Sequence, residues 1–224
     1  MTAVDVFAHR GFAADYPENT LAALRAAGAT ADGIELDAQQ CRSGEVVVIH
    51  DESLDRLTGT SGTVADTDWE TLRELDVLDS GERIPLLSEA FEVVPDDVTM
   101  NVELKADGIA DAVSEVCERF DHEVVVSSFS TTALEEASVA GDDTLGFLFT
   151  EEPEAAVRTA VELGCEWVHP EYRLCLETDV LERAHDRGLG VRAWTVNDQS
   201  TIEELDANGV DAVITDREAL ADAN

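Results

Sequence analysis

The second half of this chain repeats one unit: a short apolar run, a helix-forming stretch, and a glycine that stops it. The stopping glycines are Gly141, Gly164, Gly188 and Gly209, spaced by 23, 24 and 21 residues. Glycine ends helices well because it enters the left-handed region without a Cβ clash. A strand, a helix and two tight turns consume about that many residues, so the spacing is a βα period. Pro153 suits a first helical position. Thr178 reads as the N-cap of the next helix, and Ser200 with Glu203 as a capping box for the one after. Successive βα units lay parallel strands side by side under a layer of helices. Few architectures accept that pattern, and a closed barrel is one.

Nine apolar runs are candidate strands: Val4–Ala8, Gly33–Leu36, Val46–Ile49, Met100–Leu104, Val124–Ser127, Leu145–Phe149, Trp167–Val168, Val191–Thr195 and Ala212–Thr215. Eight would close a (βα)₈ TIM barrel, and 224 residues lie within that fold's range of roughly 200 to over 400. The extra run is Val46–Ile49. Only Ala38 to Glu45 precedes it, too short for a helical crossover, so it is expected to turn back as an antiparallel hairpin near Ser43-Gly44. A turn centred between those two residues places His50 opposite Asp37. Residues 52–87 break the βα rhythm and read as an insertion at the C-terminal face, where TIM barrels build their sites. No linker divides the chain, so residues 1–224 are expected to form a single barrel domain.

Fifty Asp and Glu face fourteen Lys and Arg, a net charge of −36. The acids are spread along the chain, which argues against nucleic acid and anionic membrane as partners. Such a surface suits a salt-rich cytoplasm, where the Debye length falls to about 3 Å at 1 M salt. No apolar run reaches the roughly 20 residues of a membrane span. The start, Met1 to Asp5, has no signal-peptide character, so a cytoplasmic location is expected. The cysteines at 41, 117, 165 and 175 have neither CxxC nor zinc-finger spacing and read as reduced packing groups. Lysine occurs once, at Lys105, at the end of the strand Asn101-Val102-Glu103-Leu104-Lys105. In a chain emptied of lysine, its retention there points to chemistry.

Polar residues gather where the runs end: His9-Arg10, Glu35, Asp37, His50-Asp51, Glu103, Lys105, Ser128, His169, Trp194, Asn197 and Thr215-Asp216. Glu35 and Asp37 are two apart on a strand and point the same way, as do Glu103 and Lys105. Three carboxylates on neighbouring strands repel one another, and a hard divalent cation such as Mg²⁺ or Ca²⁺, or Mn²⁺, would relieve that. Arg10 and Lys105 can neutralise a phosphate beside it. His9 and His50 titrate near neutrality and suit an acid–base pair. Glu18 and Asn19 precede a helix start and are supporting candidates, as is His169.

Taken in order, His9-Arg10-Gly11 with Pro17-Glu18-Asn19-Thr20, Glu35-Leu36-Asp37, Val48-Ile49-His50-Asp51, Leu54-Asp55-Arg56, Asn101-Val102-Glu103-Leu104-Lys105, Ser127-Ser128-Phe129, His169-Pro170, Trp194-Thr195-Val196-Asn197 and Ile214-Thr215-Asp216 resemble the glycerophosphodiester phosphodiesterase family over nearly the whole chain. Leu57-Thr58 departs from the two threonines usual after that arginine. The resemblance implies a barrel hydrolase taking small glycerophosphodiesters to glycerol 3-phosphate and an alcohol. It implies His9 and His50 as catalytic groups, Glu35, Asp37 and Glu103 as ligands of one divalent cation, and Arg10 and Lys105 as phosphate contacts. Trp194 resembles the residue that packs on the glycerol. The rival readings are a lysophospholipid or other phosphodiester hydrolase, which an apolar groove in the insertion would favour, and a non-catalytic cation- or phosphate-binding protein.

Overall fold

A computed structural model of the chain describes residues 4–141 and 144–221; residues 1–3, 142–143 and 222–224, part of the expected domain and of its N-terminal start, lie outside the described residues. The strands are β1 (Asp5–His9), β2 (Gly33–Gln40), β3 (Val46–Val48), β4 (Thr99–Leu104), β5 (Val124–Ser128), β6 (Thr144–Phe149), β7 (Trp167–Pro170), β8 (Gly190–Ala193) and β9 (Ala212–Thr215). β1 pairs in parallel with both β2 and β9, which closes β1, β2 and β4 to β9 into an eight-stranded parallel barrel. β3 is the extra strand, antiparallel on the far end of β2.

Each barrel strand is buried on both faces, which is why the runs read as almost continuously apolar. On β4, Met100, Val102 and Leu104 face the helical layer and join the main core, while Asn101 and Glu103 alternate inward. The barrel interior is polar toward its middle. Asn101 donates to Ser127 at 3.0 Å and accepts from the Arg192 guanidinium at 2.8 Å. That guanidinium lies between the rings of Phe7 and Trp167, 3.7 and 4.7 Å from their centroids, so aromatic faces and one amide stabilise its buried charge.

Gly164, Gly188 and Gly209 adopt the positive φ that the repeat demanded; Gly141 follows its helix in an extended conformation instead. Pro153 opens the helix Pro153–Glu162. Two helix starts differ from the sequence reading. The Thr178 backbone is extended and its hydroxyl donates back to Leu174 at 2.6 Å, so it closes the helix Tyr172–Glu177, and Asp179 precedes a second helix, Val180–His185. For the helix Gln199–Ala207 the N-cap is Asp198, not Ser200. The Asp198 carboxylate accepts from the Thr201 N–H and from both neighbouring hydroxyls, which a serine could not match.

The β2–β3 hairpin is shifted by one residue from expectation. Ala38 opposes Val48 and Gln40 opposes Val46, so Asp37 faces Ile49, whose N–H donates to it at 2.9 Å. The cause is an odd loop. Cys41 and Glu45 close a three-residue turn with Gly44 at φ 102°, where a two-residue turn would have given the expected register. His50 therefore lies beyond the paired strand, and reaches the barrel mouth another way. Gln39 points inward, and its amide donates to the carbonyls of Ile49, His50 and Asp51 at 3.0, 3.0 and 2.9 Å, curling that segment over the top.

The insertion packs on itself. Leu54, Leu57, Val64, Leu72, Val77 and Ile84 form a small core with Cys41, Val47 and Ile49 from the hairpin. Each such side chain contributes about 1.5–3 kcal/mol on burial. Its helices, Asp55–Thr58 and Trp69–Leu72, are thereby fixed beside the mouth.

Candidate active site

Strand register alone assembles the centre of the site. Glu35 is level with His9 on one side and Asn101 on the other; Asp37 is level with Glu103, and Glu103 with Ser127. The residues meet at the C-terminal ends of the strands, around a cavity of about 240 Å³. His9, Arg10, Glu35, His50, Glu103, Lys105 and Trp194 all line it, with Phe129, Leu148 and Ile214 as its apolar wall. A wider groove of about 880 Å³ adjoins it, sharing His50 and Lys105, and is lined mainly by polar residues of the hairpin and the loop after β4.

Oxygens of Glu35, Asp37 and Glu103 lie within 4.8 Å of one another, and all three residues are buried. Burial and the charge of Asp37 push Glu35 up to about 8, and the same two causes raise Glu103. For Asp37 burial acts upward too, but Arg10, Lys105, His50 and the Asn19 amide outweigh it, and it is held below the usual range. Asp37 Oδ1 accepts no hydrogen bond although it is buried. An all-oxygen cluster with mutual repulsion and an unsatisfied oxygen fits a hard divalent cation.

Two cations flank this cluster. Arg10 Nε lies 3.1 Å from Asp37 and its Nη1 donates to Glu18 at 2.9 Å. Lys105 Nζ donates to Glu103 at 2.7 Å and lies 3.4 Å from Asp37. The supporting pair divides its work: Glu18 holds Arg10, and Asn19 donates to Asp37 at 2.8 Å.

Each histidine is held at Nδ1 by a carboxylate. His9 pairs with Asp216 at 2.6 Å and His50 with Asp51 at 2.7 Å. Burial drives Asp216 up, but the His9 hydrogen bond and charge and the Asn197 amide hold it below the usual range. For Asp51, the Arg56 hydrogen bonds outweigh burial, and the carboxyl is held far down. Both acids are therefore ionised acceptors near neutrality, so each Nδ1 carries the proton and Nε2 is the free nitrogen. Burial pulls His9 down, yet Asp216 and Glu35 leave it raised overall.

His169 does not line the cavity. Its ring is buried against Gly146, where an added Cβ would meet it at 2.8 Å, and burial with nearby Arg192 keeps it neutral. What it brings to the site is its carbonyl, which accepts from Trp194 Nε1 at 2.7 Å. Trp194 in turn meets Phe129 edge-on at 5.5 Å. Sequence reasoning gave no role to Asp216, Asp51, Arg56 or Gln39. Asp216 was visible at the end of the last strand, but its pairing with His9 follows from barrel closure, which sets the end of β9 beside the end of β1.

The pattern of the Glycerophosphoryl diester phosphodiesterase family matches residues 9–220. A glycerophosphodiester phosphodiesterase of Caldanaerobacter subterraneus subsp. tengcongensis is 34% identical, covering 94% of this chain and 93% of its own. The crystal structure of glycerophosphodiester phosphodiesterase from Thermotoga maritima superposes with a TM-score of 0.86 at 32% identity, over 100% of this chain and 97% of that one. An Oleispira antarctica phosphodiesterase, solved in complex with the product sn-glycerol-3-phosphate, gives 0.89 at 30% identity, over 98% and 96%.

Proposed function

The chain belongs to the glycerophosphoryl diester phosphodiesterase family, and from that premise we propose that it hydrolyses glycerophosphodiesters with one divalent cation and a histidine acid–base pair. As a phosphoric diester hydrolase, it releases glycerol 3-phosphate and an alcohol. The observation that carries the mechanistic reading is convergence on one cavity: two histidines with oriented rings, two cations and a buried carboxylate triad.

Glu35, Asp37 and Glu103 would hold Mg²⁺, Ca²⁺ or Mn²⁺. Such an ion supplies Lewis-acid polarisation of a phosphoryl oxygen. Arg10 and Lys105 set positive charge where the transferring group gains negative charge. The ordered imidazoles divide the proton transfers, one taking a proton from the attacking oxygen and one giving a proton to the leaving alcohol. Trp194 and Phe129, packed edge to face, offer an apolar corner to glycerol carbons.

The lysophospholipid alternative needs an apolar groove at the mouth. The insertion spends most of its apolar side chains on its own core, and the adjoining groove is mostly polar. Deacylated, water-soluble diesters fit better. A substrate panel including glycerophosphoethanolamine, with glycerol 3-phosphate as the readout, tests the reading. Activity should vanish with chelator and return with one divalent cation. Full turnover in excess chelator would remove the cation from the mechanism.

A further inference from the structure

Arg56 stands outside both cavities, yet it joins two parts of the site. Its guanidinium donates to both oxygens of Asp51, from Nε at 2.5 Å and Nη2 at 2.9 Å. The same group donates to both oxygens of Glu18, from Nη1 at 2.7 Å and Nη2 at 2.9 Å. Asp51 Oδ1 also holds His50 Nδ1, and Glu18 Oε1 also holds Arg10 Nη1. We propose that Arg56 is a positioning residue that fixes His50, through Asp51, and Arg10, through Glu18, in one shared geometry.

The proposal rests on the roles given above to His50 and Arg10. A half-exposed ion pair ordinarily contributes little. Arg56 differs from such a pair in its partners and in its anchor. Glu18 is buried, and among the described residues its carboxylate accepts from Arg10 and Arg56. A planar fork satisfied along two edges fixes the angle between two carboxylates, which a flexible ammonium cannot do. The residue also has a rigid base: Leu54 and Leu57 on either side of it are sealed in the insertion core. Without Arg56, Glu18 keeps Arg10 and Asp51 keeps His50, but no cation bridges the two carboxylates. Asp51 is then free to turn toward solvent, and when it does the His50 ring loses the acceptor that sets its tautomer. On this reading the insertion is a brace for the site as well as its rim.

Two readouts test this. Arg56→Ala should lower kcat on glycerophosphoethanolamine by about 10- to 100-fold, the scale of a displacement near 1 Å, with KM moving much less. Arg56→Lys should recover only part of it. Combined with Asp51→Asn, Arg56→Ala should add less than its full loss, because both changes break the connection to His50 and only the Glu18 branch is left for the second to break. The second readout needs no turnover: ¹⁵N shifts of the His50 ring should report one tautomer in the wild type and a mixture in Arg56→Ala. Arg73→Ala, elsewhere in the insertion, should leave both readouts unchanged. Unaltered His50 ring shifts in Arg56→Ala would overturn the proposal, as would fully additive losses with Asp51→Asn. If Arg56→Ala does not fold, an Arg56→Lys protein indistinguishable from wild type in both readouts overturns it equally. A wild type that leaves every glycerophosphodiester intact refutes the functional reading instead, and the ring shifts still decide the role of Arg56.

Discussion

His9 and Asp216 shift each other in opposite directions, and that gives their pair a pH signature. His9 is raised above its ordinary 6.5 and Asp216 lowered below its ordinary 3.8. The histidine's contribution to stability is complete below pH 6.5 and is lost as pH rises through its folded value. The aspartate's is complete above pH 3.8 and is lost as pH falls through its own. The melting-temperature gap between wild type and Asp216→Asn, measured in chelator, should therefore be widest between those limits and shrink on either side, as pH rises through the folded value of His9 or falls through that of Asp216. The His9 pKa itself should fall in the variant, because the imidazolium loses its anion; an NMR titration reads it directly. Glu103→Gln tests the cation site. It removes one charged oxygen at nearly constant size, and calorimetry should show divalent affinity falling at least about tenfold. Unaltered affinity would argue against the triad. Burial also governs the thiols: Cys165 is pushed up to about 11 and Cys175 to about 12, and all four cysteines are buried. None should react with a disulfide reagent at pH 8 until the protein is unfolded.

At the level of elements, the hairpin decides where His50 goes. Its existence was readable from the short gap before Val46, but its register was not, because a two-residue and a three-residue turn differ by one position and the sequence permits both. With His50 beyond the paired strand, Gln39 holds its segment in place. One buried amide holds three successive carbonyls, and those carbonyls belong to the segment that carries His50 and Asp51. Gln39→Leu keeps the bulk and removes the donor. Leaving buried carbonyls unpaired costs about 1–3 kcal/mol, or roughly 3–10 °C in a chain of this length. Turnover should fall further than that loss explains, since the segment is free to lift. A variant with normal kcat and a lowered melting temperature would restrict Gln39 to a structural part.

Over the whole molecule, the net charge of −36 is the dominant long-range term. Self-repulsion of that size falls as salt shortens the Debye length from about 10 Å at 0.1 M to about 3 Å at 1 M. The melting temperature should rise steadily from dilute buffer to molar KCl; a flat or falling curve refutes the expectation and leaves the chemistry untouched. The same charge balance explains why the site's cations stand out. Arg10, Arg56 and Lys105 each meet two carboxylates, in a protein with few cations to place. No helix among the described residues is long and apolar enough to cross a membrane.

The βα period, the eight parallel strands, the extra hairpin and the residues at the strand ends were all legible from local features. Apolar runs, glycine stops and two-residue alternation are properties of a few neighbouring positions, and they fix which side chains point inward at which end. What tertiary structure decided was every relation between residues distant in sequence. Barrel closure sets Asp216 on His9 across 207 positions. Insertion packing brings Arg56 to Glu18 across 38. Burial determines that His169 gives the site a carbonyl and not a ring. Helix starts failed for a related reason: several hydroxyls and carboxylates stood close enough to cap, and only the folded backbone chose Asp198 over Ser200. A sequence states which groups are available at the mouth of the barrel; the angle of each and the partner that holds it come from packing.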